Sequence, residues 1–103
     1  MLEEKMFNID PYLKKIEEIC VKYKAKRLAL FGSALTSEFN DESDLDFLIE
    51  LQGVEKGLKR YMKIKNELQT LFRREVDLVM PKSIKNELLE KYIFERLKDC
   101  YEA

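Results

Sequence analysis

Three carboxylates and a glycine-serine pair stand at spacings that could do chemistry. Asp44-Leu45-Asp46 opens the apolar run Leu45 to Leu51, and Gly32-Ser33 closes the apolar run Leu28 to Phe31. Side chains alternate across a strand, so Asp44 and Asp46 share one face at roughly 6–7 Å, while Leu45, Phe47 and Ile49 share the other. At an effective dielectric near 20 the repulsion between them is about 2–3 kcal/mol, which a bound cation or hydrogen-bond donor would offset. The chain has no histidine. Oxygen ligands alone select a hard ion, Mg²⁺ or Mn²⁺, which keeps waters and phosphate oxygens in its shell. A tight Gly32-Ser33 turn beside such an ion would offer backbone N–H groups and a hydroxyl to a phosphate. Phosphoryl or nucleotidyl transfer is the chemistry these residue types suit.

A third acid, Asp77, stands between Val76 and Leu78 in a segment otherwise apolar through Met80. A lone carboxylate buried there would cost several kcal/mol, so it is either functional or on an exposed face. Glu75, two residues away, reads as a surface charge. Two other acidic motifs fit poorly. A haloacid-dehalogenase-type Asp-x-Asp-x-Thr would need threonine where Leu48 stands, and an EF-hand would need a glycine and a bidentate glutamate that the loop Asn40 to Asp46 lacks.

Apolar strand, Gly32-Ser33, a ten-residue spacer, Asp44-x-Asp46 and the later Asp77 together resemble the signature of the DNA polymerase β-like nucleotidyltransferase superfamily. The small size, with the pattern followed from about Tyr12 to Tyr101, resembles its minimal nucleotidyltransferase (MNT) branch, the antitoxins of HEPN/MNT pairs. The resemblance implies a small mixed sheet with the acids at its edge. It implies Asp44, Asp46 and Asp77 as metal ligands and catalytic acids, and Gly32 and Ser33 as nucleotide-binding residues. It further implies Mg²⁺ (or Mn²⁺), ATP as substrate, and transfer of AMP to a hydroxyl of a protein, with a HEPN-domain toxin as acceptor. The family's basic segment after Gly-Ser is replaced here by Ala34-Leu35-Thr36-Ser37. Lys26, Arg27, Arg73 and Arg74 are the nearest basic residues that could substitute. The replacement also leaves a second reading, a module that masks its partner by contact.

The elements that must position these residues read as follows. Residues 1 to 9 form an arm. Asp10-Pro11 starts a helix, aspartate as cap and proline at the first position, running to about Tyr23 with Leu13, Ile16, Ile19, Cys20 and Tyr23 on one face. Arg27 to Phe31 is the first strand, and Ala34 to Phe39 a short helix. Tyr61, Ile64, Leu68 and Leu71 mark a helix over roughly Lys56 to Phe72. A third strand covers Glu75 to Met80, stopped by Pro81. Ser83 caps a helix carrying Ile84, Leu88 and Leu89, and a last helical segment covers about Tyr92 to Tyr101. Three strands alternating with helices give a two-layer α+β (α/β) domain with helices on one side of the sheet, spanning 1–103 as one unit.

At 103 residues, 46% apolar and 38% charged, the chain is long enough to bury roughly 60–70% of its unfolded surface in one core. The net charge of −1 argues against capture of nucleic acid by a basic surface. Cys20 and Cys100 stand at no metal-type spacing, and no signal peptide, apolar 18-residue run or lipidation motif is visible. These features are those of a cytoplasmic protein with reduced thiols and no membrane contact. Homo- and hetero-oligomers remain open. Tyr61, Tyr92, Phe94 and Tyr101 read as core or partner-facing aromatics rather than a base-stacking platform.

Overall fold

The computed structural model describes residues 7–103. Pro11, whose ring fixes a helix-like φ, lies in a 3₁₀ turn Asp10–Tyr12 that runs into α1 (Leu13–Lys22). The expected aspartate cap is absent: Asn8 Oδ1 instead accepts the backbone N–H of Asp10 at 3.1 Å. Of the expected arm, residues 7–9 are described, with Ile9 fully buried, and residues 1–6 lie outside the described residues.

Among the described residues four strands follow, not three: β1 (Ala25–Phe31), β2 (Leu45–Leu51), β3 (Val76–Val79) and β4 (Lys98–Glu102), in the order β3-β2-β1-β4. β1 pairs antiparallel with β2 and β4, whereas β2 pairs parallel with β3. The parallel pair needs a crossover, which α2 (Gly57–Phe72) supplies. The helix expected over Tyr92 to Tyr101 ends at Glu95, as α3 (Glu87–Glu95), and its last third is β4 instead. The reason is tertiary: β1 would otherwise present a free edge, and the partner that covers it comes from the far end of the chain. Asn86, not Ser83, caps α3, its Oδ1 accepting from the N–H groups of Leu88 and Leu89 at 2.9 and 3.1 Å.

Alternation along the strands builds two cores. Leu28, Leu30, Leu45, Phe47, Ile49, Val76 and Leu78 face α1 and α2 in the main cluster, with Ile16, Cys20, Ile64 and Leu68. Ala29, Phe31 and Leu48 face the other way, where Ile93 of α3 closes a smaller cluster with Val79, Ile84 and Leu97 at its margin. Helices therefore lie on both faces, against the one-sided packing expected, because β1 and β2 are apolar on both sides. Among the described residues no helix is long and apolar enough to cross a membrane.

Phe47 is fully buried and stacks on Phe72 with ring centroids 5.8 Å apart. Phe47→Ala is expected to destabilise the fold by about 3–5 kcal/mol, read as a lower urea midpoint.

Candidate active site at the β2–β3 pair

The parallel register sets Asp46 of β2 directly opposite Asp77 of β3. Adjacent strands run about 4.8 Å apart, so the two side chains emerge side by side. Both alternate with residues of the main core, Phe47 and Leu78, and therefore emerge on the opposite face, beside Leu48 and Val79. Asp44 lies one residue before β2 and is exposed, as is Asp77, while Asp46 is half-buried. The apolar run around Asp77 thus reflects one buried face, and the carboxylate takes the other.

Gly32 closes the site from β1. Phe31 pairs with Asp46, so the next residue turns across the carboxylate. Gly32 has φ +80°, and a Cβ at that position would come within 2.5 Å of Asp46 Oδ2. Only glycine meets both demands, a left-handed backbone and contact with the acid. Ser33 follows, half-buried, in a 3₁₀ turn Gly32–Leu35. Its carbonyl accepts from the N–H and the Oγ1 of Thr36, both at 2.9 Å, which ends the turn there. The short helix expected over Ala34 to Phe39 is replaced by this single turn.

The loop before Asp44 is fixed from below and from the side. Phe39 is buried against Phe7, which also contacts Tyr12 and Phe72. Arg74, just before β3, lies over the Phe39 ring at 4.6 Å and donates to the carbonyls of Asn40 (3.1 Å) and Ser43 (2.6 Å). One guanidinium thereby ties the segment bearing Asp77 to the loop that presents Asp44. By sequence Arg74 is one of the basic residues that could substitute for the family's basic segment; in the structure its donors are directed into the loop. Arg27 is likewise engaged, pairing with Asp99 at 2.8 Å and Glu50 at 3.9 Å.

Crowding at the strand pair shows in the ionisation of Asp46. Partial burial, with the charges of Asp77 and then Asp44 beside it, pushes the Asp46 carboxyl up to about 6. The three acids are thus one electrostatic unit, centred on Asp46.

The chain matches the model of the nucleotidyltransferase domain over residues 13–100. It belongs to that family. A candidate protein adenylyltransferase of Methanocaldococcus jannaschii is 38% identical over 76 residues, 74% of this chain and 76% of the relative. Among solved structures, a minimal nucleotidyltransferase superposes with a TM-score of 0.73 at 22% identity, over 86% of this chain and 89% of that one. A chain of the complex between a tri-AMPylated Shewanella oneidensis HEPN toxin and its MNT antitoxin superposes at 0.62 and 17% identity, over 93% and 74%. The fold is that of the polymerase β-like enzymes, of the minimal kind.

For this nucleotidyltransferase the family implies a divalent ion. Among the described residues no group of three or more His, Cys, Asp or Glu side chains is gathered closely enough to hold a metal. That arrangement still fits Mg²⁺, which uses one or two carboxylates and takes its remaining ligands from water and substrate phosphates. Asp46, destabilised as an anion first by burial and then by the charges of Asp77 and Asp44, is the group such an ion would relieve.

Two expectations follow from this electrostatics and from Arg74. The folded state holds the Asp46 proton more tightly than the unfolded chain, so its contribution to stability is full below about pH 4 and is lost as pH rises through about 6. In metal-free buffer Asp46→Asn should therefore melt above the unmutated nucleotidyltransferase at pH 8, and the gap should close between pH 6 and 4. Arg74→Ala should lower stability by about 1–3 kcal/mol, since it strands two carbonyls and frees Phe39, and Arg74→Lys should recover only part. Denaturant titration of both variants measures this.

Proposed function

We propose that this chain is a single minimal nucleotidyltransferase domain that transfers AMP from ATP to a hydroxyl of another protein, in the presence of Mg²⁺. The observation that carries this reading is the meeting of Asp46 with both Asp77 and Gly32, which sets paired carboxylates against a turn that a phosphate can approach. Of Asp44, Asp46 and Asp77, one or two at a time would hold the ion, which when bound would supply positive charge to the triphosphate oxygens. Gly32 and Ser33 would take the phosphates at the turn. The acceptor oxygen attacks the α-phosphorus, an O–P bond forms, the bond to the bridging oxygen breaks, and pyrophosphate leaves. Asp77, exposed beside Asp46, is suited to accept the hydroxyl proton.

A protein acceptor is supported by the names of the relatives and by the small size of the domain. A HEPN-domain toxin is the first choice, on the likeness to the AMPylated HEPN–MNT complex, and a cytoplasmic setting goes with it. A specific observation favours the second reading, masking by contact: Leu88 and Tyr92 of α3 are 80% and 54% exposed, an apolar stripe beside the acids' face of the sheet.

Incubation with Mg²⁺ and ATP labelled on the α- or the γ-phosphate, with lysate of the source cells, separates the two. Transfer predicts a macromolecule labelled from the α-position alone, and only by the unmutated chain, not by Asp46→Asn. Label transfer that survives in Asp46→Asn overturns the site assignment, and no transfer together with no Mg-ATP binding leaves the masking reading.

A further inference from the structure

A cleft of about 680 Å³ opens away from the acids, on the face covered by α1 and α2, between the C-terminal ends of β2 and β3 and the start of α2. Asp46 and Leu51 are five residues apart on β2, about 16 Å along the strand, and point to opposite faces. Ile49, Leu51, Leu78 and Met80 contribute to its walls. Val54 and Leu58 stand at its margin and are 92% and 78% exposed, an apolar display that a free surface gains nothing by making. A second cleft of about 450 Å³ adjoins it, since Gly53 and Val54 line both.

The loop that carries Val54 is held, not loose. Arg60 donates to four backbone carbonyls, those of Glu55 (2.9 Å), Gly53 (3.1 Å), Lys24 (3.2 Å) and Tyr23 (3.3 Å). Lys56 takes the left-handed conformation at φ 51° so that α2 can begin. The exposed valine is therefore presented in a fixed position, which lowers the entropy lost when something covers it.

Charge says what covers it. Lys26 and Lys82 line the first cleft, and Lys24 and Lys56 the second. Among the described residues none of the four is within 4.0 Å of a carboxylate partner. Of the acids here, Glu50 pairs with Arg27 and Glu55 stands alone. The chain as a whole carries a net charge of −1, so these lysines are a local excess of positive charge. We propose that these adjoining clefts dock an acidic segment of another protein, anchored by an apolar side chain set beside Val54 and Leu58. A nucleic acid strand would meet the lysines but leave the aliphatic walls unfilled, and the two aromatics there, Tyr61 and Tyr23, have their hydroxyls committed, to the Leu78 carbonyl at 2.7 Å and to the Glu67 carboxylate. This surface shares no residue with the acids and does not depend on transfer chemistry.

A random peptide library displayed on phage and panned against the full chain tests the assignment, with Val54→Ser/Leu58→Ser as counter-selection. Enriched sequences should place Asp or Glu around a Leu, Ile or Phe. A synthetic peptide of that kind should shift backbone amide resonances centred on 53–61 and 78–83. Its affinity should fall about tenfold in the double variant and severalfold in Lys26→Glu/Lys82→Glu, while Asp46→Asn binds it unchanged. All four substituted side chains are exposed, so melting temperatures should match the unmutated chain. No enrichment, enrichment of basic or neutral sequences, or equal binding by the double variant overturns the proposal. So does tighter binding of an oligouridine at the same residues, or occupation of the clefts by a second copy of the chain.

Discussion

Everything at the candidate site depends on the parallel register of β2 and β3. It sets two carboxylates opposite each other on neighbouring strands, a placement that opposes folding as long as both are ionised. The offset comes from the other side of the same strands. Leu45, Phe47, Ile49, Val76 and Leu78 are all buried in the main core, and each contributes on the order of 1.5–3 kcal/mol by leaving water. Shifting β3 by one residue would separate the acids, but it would also turn Val76 and Leu78 out of that core. The hydrophobic pattern therefore enforces an electrostatic arrangement that the acids alone would avoid.

The same economy governs the cations. Arg74 and Arg60 are each turned onto backbone carbonyls, one holding the loop before Asp44 and the other the loop after β2. Arg27 is taken up between Asp99 and Glu50 and helps fasten β4 to β1. Arginines here act as fixed forks that lock loops, a role for which lysine's single ammonium is a poor substitute. In the proposed reaction, triphosphate charge is then left to the ion and to the turn at Gly32, which is consistent with Ala34-Leu35-Thr36-Ser37 standing where relatives of the superfamily carry basic residues.

What was legible in the sequence follows from the range of the interactions involved. β2 matches its expected bounds, and α2 does so to within one residue, because a period of two or of 3.6 is written locally. The family signature around Gly32, Asp44, Asp46 and Asp77 could be read from spacing; the structure sets Asp46 opposite Asp77 with Gly32 against it, while Asp44 lies one residue before β2. β4 could not be read so: Lys98 to Glu102 is charged and only partly buried, and its pairing is decided by β1, some seventy residues earlier. The role of Arg74 was equally hidden, since its acceptors are main-chain carbonyls, which leave no trace in residue type. Asn86 displaced Ser83 as cap because Pro81 draws Ser83 into a 3₁₀ turn, where its hydroxyl donates back to Met80 at 2.8 Å.

A period of two also lets a small sheet present two surfaces. Along β3, Asp77 goes to the acid face while Leu78 goes to the face covered by α1 and α2 and to the cleft. Along β2, Asp46 and Ile49 divide in the same way. A partner could then be held on one face while chemistry proceeds at the other end of the same strands. Such an arrangement separates affinity from catalysis: the residues that would grip a partner can change without touching the carboxylates. The strands themselves are what both surfaces share, so a substitution in their buried positions, unlike one at either rim, would be felt at both.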